Sequence, residues 1–163
     1  VSWELALDHK HCFGKKRLPA QVWGQDPQQV RAWFSAQGVE LPLLPESANG
    51  LDLVGGRFCP LVDRKVAHLY YGNKDRNLSL YVVPGPLRFG REGMRQAGGR
   101  MVQLLHVGHS AVALVGEDHE DVSAFQRKFQ TTVAEELEPP RARSLTPSDR
   151  PVILFSFVHP VGL

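Results

Sequence analysis

Two short runs hold the residues best suited to chemistry, DHKHCF at 8–13 and CPLVDRKVAH at 59–68. The chain has only two cysteines, Cys12 and Cys59, and each has a histidine at a spacing that can turn both side chains the same way. On a helix, His9 and Cys12 stand three apart and are surface neighbours. In the second run, a two-residue turn at Asp63-Arg64 pairs Val62 with Lys65, Leu61 with Val66, Pro60 with Ala67 and Cys59 with His68. Directly opposite residues of an antiparallel pair have Cβ atoms about 4.5–5.5 Å apart. Two thiolates and two neutral imidazoles that converge are the ligand set of a tetrahedral zinc site. A soft Cys/His set also suits copper(I). The predicted metal ligands are His9, Cys12, Cys59 and His68. His11 could replace His9, and Asp8 could accept a hydrogen bond from the far nitrogen of a ligating imidazole. A plainer reading stays open beside this one: two buried cysteines acting as small hydrophobes, with histidines lining the core.

Other chemistry finds less support. No G-x-S-x-G elbow is present, and no acid–base or nucleophile–base pair stands out, so the expectation is a non-enzyme. No CxxCH run exists for haem attachment. Gly55-Gly56 and Gly98-Gly99 lack the strand–loop–helix setting of a phosphate cradle, and Gly55-Gly56 reads as a bulge. Net charge is +2 with the charges spread out, and no basic stripe is interleaved with aromatics, so no nucleic-acid partner is expected.

The elements that must position these residues follow from periodicity. At 163 residues with a 42% hydrophobic fraction, the chain has material for one real core. Residues 2–12 predict a short helix with Leu5, His9 and Cys12 on one face. Asp26-Pro27 opens a second helix, with a buried stripe of Val30, Trp33 and Phe34 and a stop at Gly38. From Gly50 the period changes to two, and residues 51–83 predict a three-strand antiparallel meander. Residues 85–100 read as irregular, with one helical turn near 91–96. RMVQLLHVG and SAVALVG predict a hairpin turning at Gly108-His109. Asp118 opens a last helix with the stripe Val122, Phe125, Phe129 and Val133. The expected fold is α+β: an antiparallel sheet of about five strands with helices packed mainly on one face.

Residues 1–138 are read as a single sensor-like domain, and 139–163 as a linker and apolar tail. PVILFSFVHPVGL at the end is too short to span a bilayer. Its alternating Ile153, Phe155 and Phe157 are expected to be buried on a sheet or in a homo-oligomer contact. No apolar run reaches the roughly 18–20 residues of a membrane helix. The chain begins at Val1 without a signal peptide and reads as a processed or truncated product, so a membrane anchor upstream is an expectation as well.

In order, the runs DHKHCF, DPQQVRAWFSAQGVELPLL, LDLVGGRFCPLVDRKVAHLYYGNKDRNLSLYVVP and LLHVGHSAVALVGEDHEDVSAF resemble the extracytoplasmic domain of bacterial transmembrane anti-sigma factors and related membrane-anchored proteins. A subset of that group carries a DHxxCF run and an RxC…AH hairpin, matched here at Asp8–Phe13 and Arg57–His68. The resemblance spans roughly residues 5–130 and leaves out the cytoplasmic segment that binds a sigma factor. It implies a periplasmic sensory domain with a protein partner in or at the membrane. An oxidising compartment also implies an alternative use of the cysteines, a Cys12–Cys59 disulfide or redox pair. Such a bridge closes a long loop and would stabilise the fold by about 2–4 kcal/mol. A second class of function goes with it, a structural accessory subunit of a larger membrane complex.

Overall fold

Asp26 caps its helix from an extended conformation, and its Oδ1 accepts from the Gln28 amide at 2.9 Å. Pro27, with no amide hydrogen to satisfy, takes the first position of a helix over Pro27–Ala36. The helix ends in a Schellman closure: Val39 N–H donates to Phe34 O and Gly38 N–H to Ser35 O, with Gly38 at φ +81°. The last helix, His119–Leu137, is capped in the same manner, with Asp118 Oδ1 accepting from the Glu120 amide at 2.7 Å. Its stripe Val122, Phe125, Phe129 and Val133 is buried as the spacing predicts. The first helix covers Ser2–Phe13. In chain order these are α1 (Ser2–Phe13), α2 (Pro27–Ala36) and α3 (His119–Leu137). The computed structural model describes residues 1–13, 19–61, 64–85 and 91–137.

The meander is present as β3 (Leu51–Leu61), β4 (Arg64–Gly72) and β5 (Asn77–Val83). The second hairpin is β7 (Arg100–Val107) and β8 (Ser110–Gly116), and Val107 pairs with Ser110 around Gly108-His109. Three strands were not expected: β1 (Val22–Trp23), β2 (Ser47–Ala48) and β6 (Gly93–Ala97). Among the described residues the sheet therefore has eight antiparallel strands rather than about five, in the order β1-β3-β4-β5-β8-β7-β6, with β2 also on β3. β6 replaces the helical turn predicted near 91–96. Gly98 and Gly99 both have positive φ, +54° and +73°, and close a two-residue hairpin between Ala97 and Arg100. Glycine adopts that backbone without steric cost. The ladder of β3 slips between Leu53 and Gly55, so the Gly-Gly pair does mark a bulge.

The helices lie on both faces of the sheet, which corrects the one-face expectation. Val30 and Phe34 of α2 and the α3 stripe share a core with Leu69, Tyr71, Leu78, Leu80, Val82, Val112 and Leu114. Leu5 and Ala6 of α1 share another with Val66, Tyr81, Val83, Ala111, Ala113 and Val115. The strand residues of the two sets alternate, so the two sets occupy opposite faces. That is why β4, β5 and β8 are buried along almost their whole length. No helix among the described residues is long and apolar enough to cross a membrane. The tail expectations for Ile153, Phe155 and Phe157, and the division at 138/139, lie outside the described residues.

Candidate metal centre

Leu5 and Ala6 anchor the first half of α1 on the sheet. One turn later the same face of the helix presents Asp8, His9 and Cys12. Beneath it the strands contribute Cys59 from β3, His68 and Tyr70 from β4, and Ser79 and Tyr81 from β5. Each of these alternates with a residue of the opposite core. In an otherwise apolar face, they form a buried polar island: Cys12, Cys59, His68, Ser79 and His9 are each at most 2% exposed. Buried polar groups are seldom left without a partner.

His68 Nδ1 is the hub. It lies 3.2 Å from Asp8 Oδ2, 3.5 Å from Cys59 Sγ and 3.7 Å from Cys12 Sγ. Cys12 Sγ lies 3.6 Å from Asp8 Oδ2. One ligand atom from each of Asp8, Cys12, Cys59 and His68 falls within 4.8 Å of the others. A tetrahedral zinc ion has bonds of about 2.0–2.2 Å to nitrogen or oxygen and about 2.3 Å to sulfur. Its nitrogen–oxygen edge is therefore about 3.4 Å, and edges with one sulfur are about 3.6 Å. The observed separations match those edges. Four buried or part-buried donors are close enough to bind one metal ion.

Electrostatics fit a site that holds negative charge. Burial opposes ionisation of Asp8, but hydrogen bonds from His68 and Tyr81 and the pull of the His68 ring outweigh it, holding the carboxyl below the usual range. The Cys59 thiol, donating to Cys12, brings Cys12 down to about 5 against the cost of burial. The same bond, then burial and the Asp8 charge, push Cys59 up. The pair thus shares one thiolate readily, and a cation is what would stabilise the second. Burial, then Cys12 and Cys59, push the Tyr70 phenol up. Its hydroxyl is buried and finds no hydrogen-bond partner among the described residues.

Three of the four residues predicted from sequence, Cys12, Cys59 and His68, come together. His9 does not join them. Its Nδ1 bonds to Ser79 Oγ at 2.8 Å, and Asp8 takes the fourth corner. The reason is helical. Asp8 and Cys12 stand four apart and stack along α1, while His9 is turned inward to β5. His11 is exposed and belongs to neither group. The hairpin pairing differs too. Cys59 faces Val66, and Arg57 faces His68, so the register is two residues from the predicted one. An even shift keeps both side chains on one face. Tyr70, Ser79 and Tyr81 went unnoticed in the sequence. The alternation of LYYG and LSLYV put them on the right face, but nothing local distinguished them from core.

The two cysteines are free thiols. No protein-family model matches the chain, and neither a curated protein nor a solved structure matches it significantly. The anti-sigma resemblance therefore rests on the quoted motifs alone.

Proposed function

We propose that this chain is a non-enzymatic metal-binding domain in which one zinc ion, held by Asp8, Cys12, Cys59 and His68, ties the N-terminal helix to the sheet. The observation that carries the reading is that four of the six donor separations lie close to an edge of a zinc tetrahedron and the other two lie within 4.8 Å. An oxygen donor among the four favours zinc over copper(I), which prefers soft ligands throughout. Four protein ligands leave no corner for substrate, which supports a structural or sensing site over a catalytic one. The motif order supports the wider setting: a periplasmic, membrane-anchored, anti-sigma-like regulator that reports metal to a protein partner at the membrane.

Elemental analysis of the purified chain, with thiols counted before and after reduction, tests this. The expected result is one zinc per chain and two thiols that react only after chelation. Cys59→Ser should lose the zinc and speed hydrogen exchange in α1 while β4, β5 and β8 stay protected. The closeness of two free buried thiols, Cys12 and Cys59 Sγ lying within 4.8 Å of each other, favours a second reading, a redox pair in an accessory subunit. Two thiols that appear only on reduction, in a chain that takes up no zinc, would select it.

A further inference from the structure

Behind the four donors runs a second row of buried polar groups. Ser79 Oγ, on the middle strand, lies 2.6 Å from His68 Nε2 and 2.8 Å from His9 Nδ1. Ser79 and His68 are 0% exposed and His9 2%, so this row is closed to bulk water. A hydroxyl carries one proton. Ser79 can donate to only one of the two rings, and it must accept from the other.

With both rings neutral, two arrangements satisfy the row, and they run in opposite directions. In the first, His68 Nδ1–H faces Asp8 Oδ2, Ser79 donates to His68 Nε2, and His9 Nδ1–H donates to Ser79. In the second, His68 Nδ1 is a bare lone pair, its Nε2–H donates to Ser79, and Ser79 donates to His9 Nδ1, whose ring proton sits on Nε2. Only the second leaves Nδ1 free to bind an ion.

We infer that Ser79 and His9 are positioning residues for His68, and that loading the cluster with metal reverses the direction of the His68–Ser79–His9 row. The inference rests on the metal reading above. As the ion arrives, one proton leaves His68 Nδ1 for solvent, and His68 Nε2 takes the Ser79 proton. Ser79 takes the one on His9 Nδ1, and His9 Nε2 takes one up from solvent. Each group ends with one proton, so the reversal carries no net charge. It needs no counter-ion in a dry site. It also moves a record of the ion from the sheet to a ring on α1 that does not touch the ion.

The test is long-range ¹⁵N–¹H NMR of the histidine-labelled full chain, zinc-free and with one equivalent of zinc, alongside zinc competition titrations. His9 is expected as the Nδ1–H tautomer without zinc and the Nε2–H tautomer with it. Ser79→Ala should weaken zinc binding about 10–100-fold, the usual cost of losing a group that orients a ligand. Ser79→Thr, which keeps the hydroxyl, should restore most of that affinity. Zinc bound tightly by the wild type with His9 in one tautomer throughout would overturn the inference and leave the metal reading standing. A wild type that takes up no zinc overturns both. If Ser79→Ala does not fold, the wild-type spectra alone decide.

Discussion

The Tyr81 hydroxyl donates to Asp8 Oδ2 at 2.9 Å while its ring stacks on His68, with centroids 4.1 Å apart. One phenol thus joins three elements. It fixes the helix carboxylate from β5 and supports the β4 imidazole that shares the carboxylate. Burial and the Asp8 charge push this phenol well above its usual range, so it stays a donor at any ordinary pH.

Tyr81→Phe keeps the ring and removes only the donor. A hydrogen bond to a charged group is worth about 1.5–3 kcal/mol. The variant should lose about that much stability in urea denaturation and bind zinc more weakly. Unchanged stability would mean that Asp8 is held by His68 and the cysteines without the phenol.

Asp8 and His9 are adjacent in sequence but differ in role, and single substitutions should separate them. Asp8→Ala removes a donor and should cost more than about 100-fold in zinc affinity, beyond the range for orienting groups. His9→Asn keeps a polar group near Nδ1 and should cost about 10-fold. His11→Ala should change nothing, since His11 is exposed. Competition with a chromophoric chelator reads all three. Equal losses for Asp8→Ala and His11→Ala would remove Asp8 from the ligand set.

The helices and the meander were legible because each carried its own signal. Asp26-Pro27, Asp118 and Gly38 are end markers, and the shift to two-residue alternation at Gly50 marks the sheet. The Gly98-Gly99 hairpin had its signal as well, but GMRQA before it has too little alternation to read as a strand. β1 and β2 are two residues each and exist only because β3 offers an edge. For the site, helical spacing allowed either His9 or Asp8 beside Cys12. The way α1 docks on the sheet decides between them, with Leu5 and Ala6 in the apolar cluster of that face, a tertiary fact. The hairpin register was open in the same way, since shifts of two residues leave the buried face unchanged.

Acid should destabilise the metal-free chain. Burial, then repulsion from His68 and Arg100, bring His9 down to about 3, whereas an unfolded histidine titrates near about 6.5. Between those values the unfolded chain binds the extra proton. The His9 contribution is therefore fully present above about 6.5 and is lost as pH drops towards about 3, by about 1.4 kcal/mol per unit. Cys12, held down to about 5, acts in the same direction from the alkaline side. Asp8, also lowered, adds to the loss at the acid end. Urea midpoints across pH should show this slope, and His9→Asn should make it shallower below about 6.5, leaving the parts that belong to Cys12 and Asp8. A flat wild-type profile would mean that His9 is protonated in the fold.

Gly55→Ala should strip β1 from the sheet. A Cβ there would sit 2.3 Å from Val22 O and 3.1 Å from Trp23 Cα, and φ is +154°. The near atoms are all β1 backbone, so no flexible side chain can give way. A cost of about 1–3 kcal/mol is expected, as for other overpacked sites. The amides of Gln21 and Gly24, which donate to Gly56 O and Val54 O, should lose their protection first. Protection at both amides equal to wild type would sink this expectation.

Among the four donors only Asp8 is in contact with solvent, its side chain 16% exposed against 0% for His68 and 1% for each cysteine. Exchange of an ion held there would therefore be ordered. The carboxylate would be the last bond made on arrival and the first broken on departure. The rate of turnover would follow the swing of one short side chain, and the lifetime of the complex could be tuned at position 8 without disturbing the thiolates beneath it.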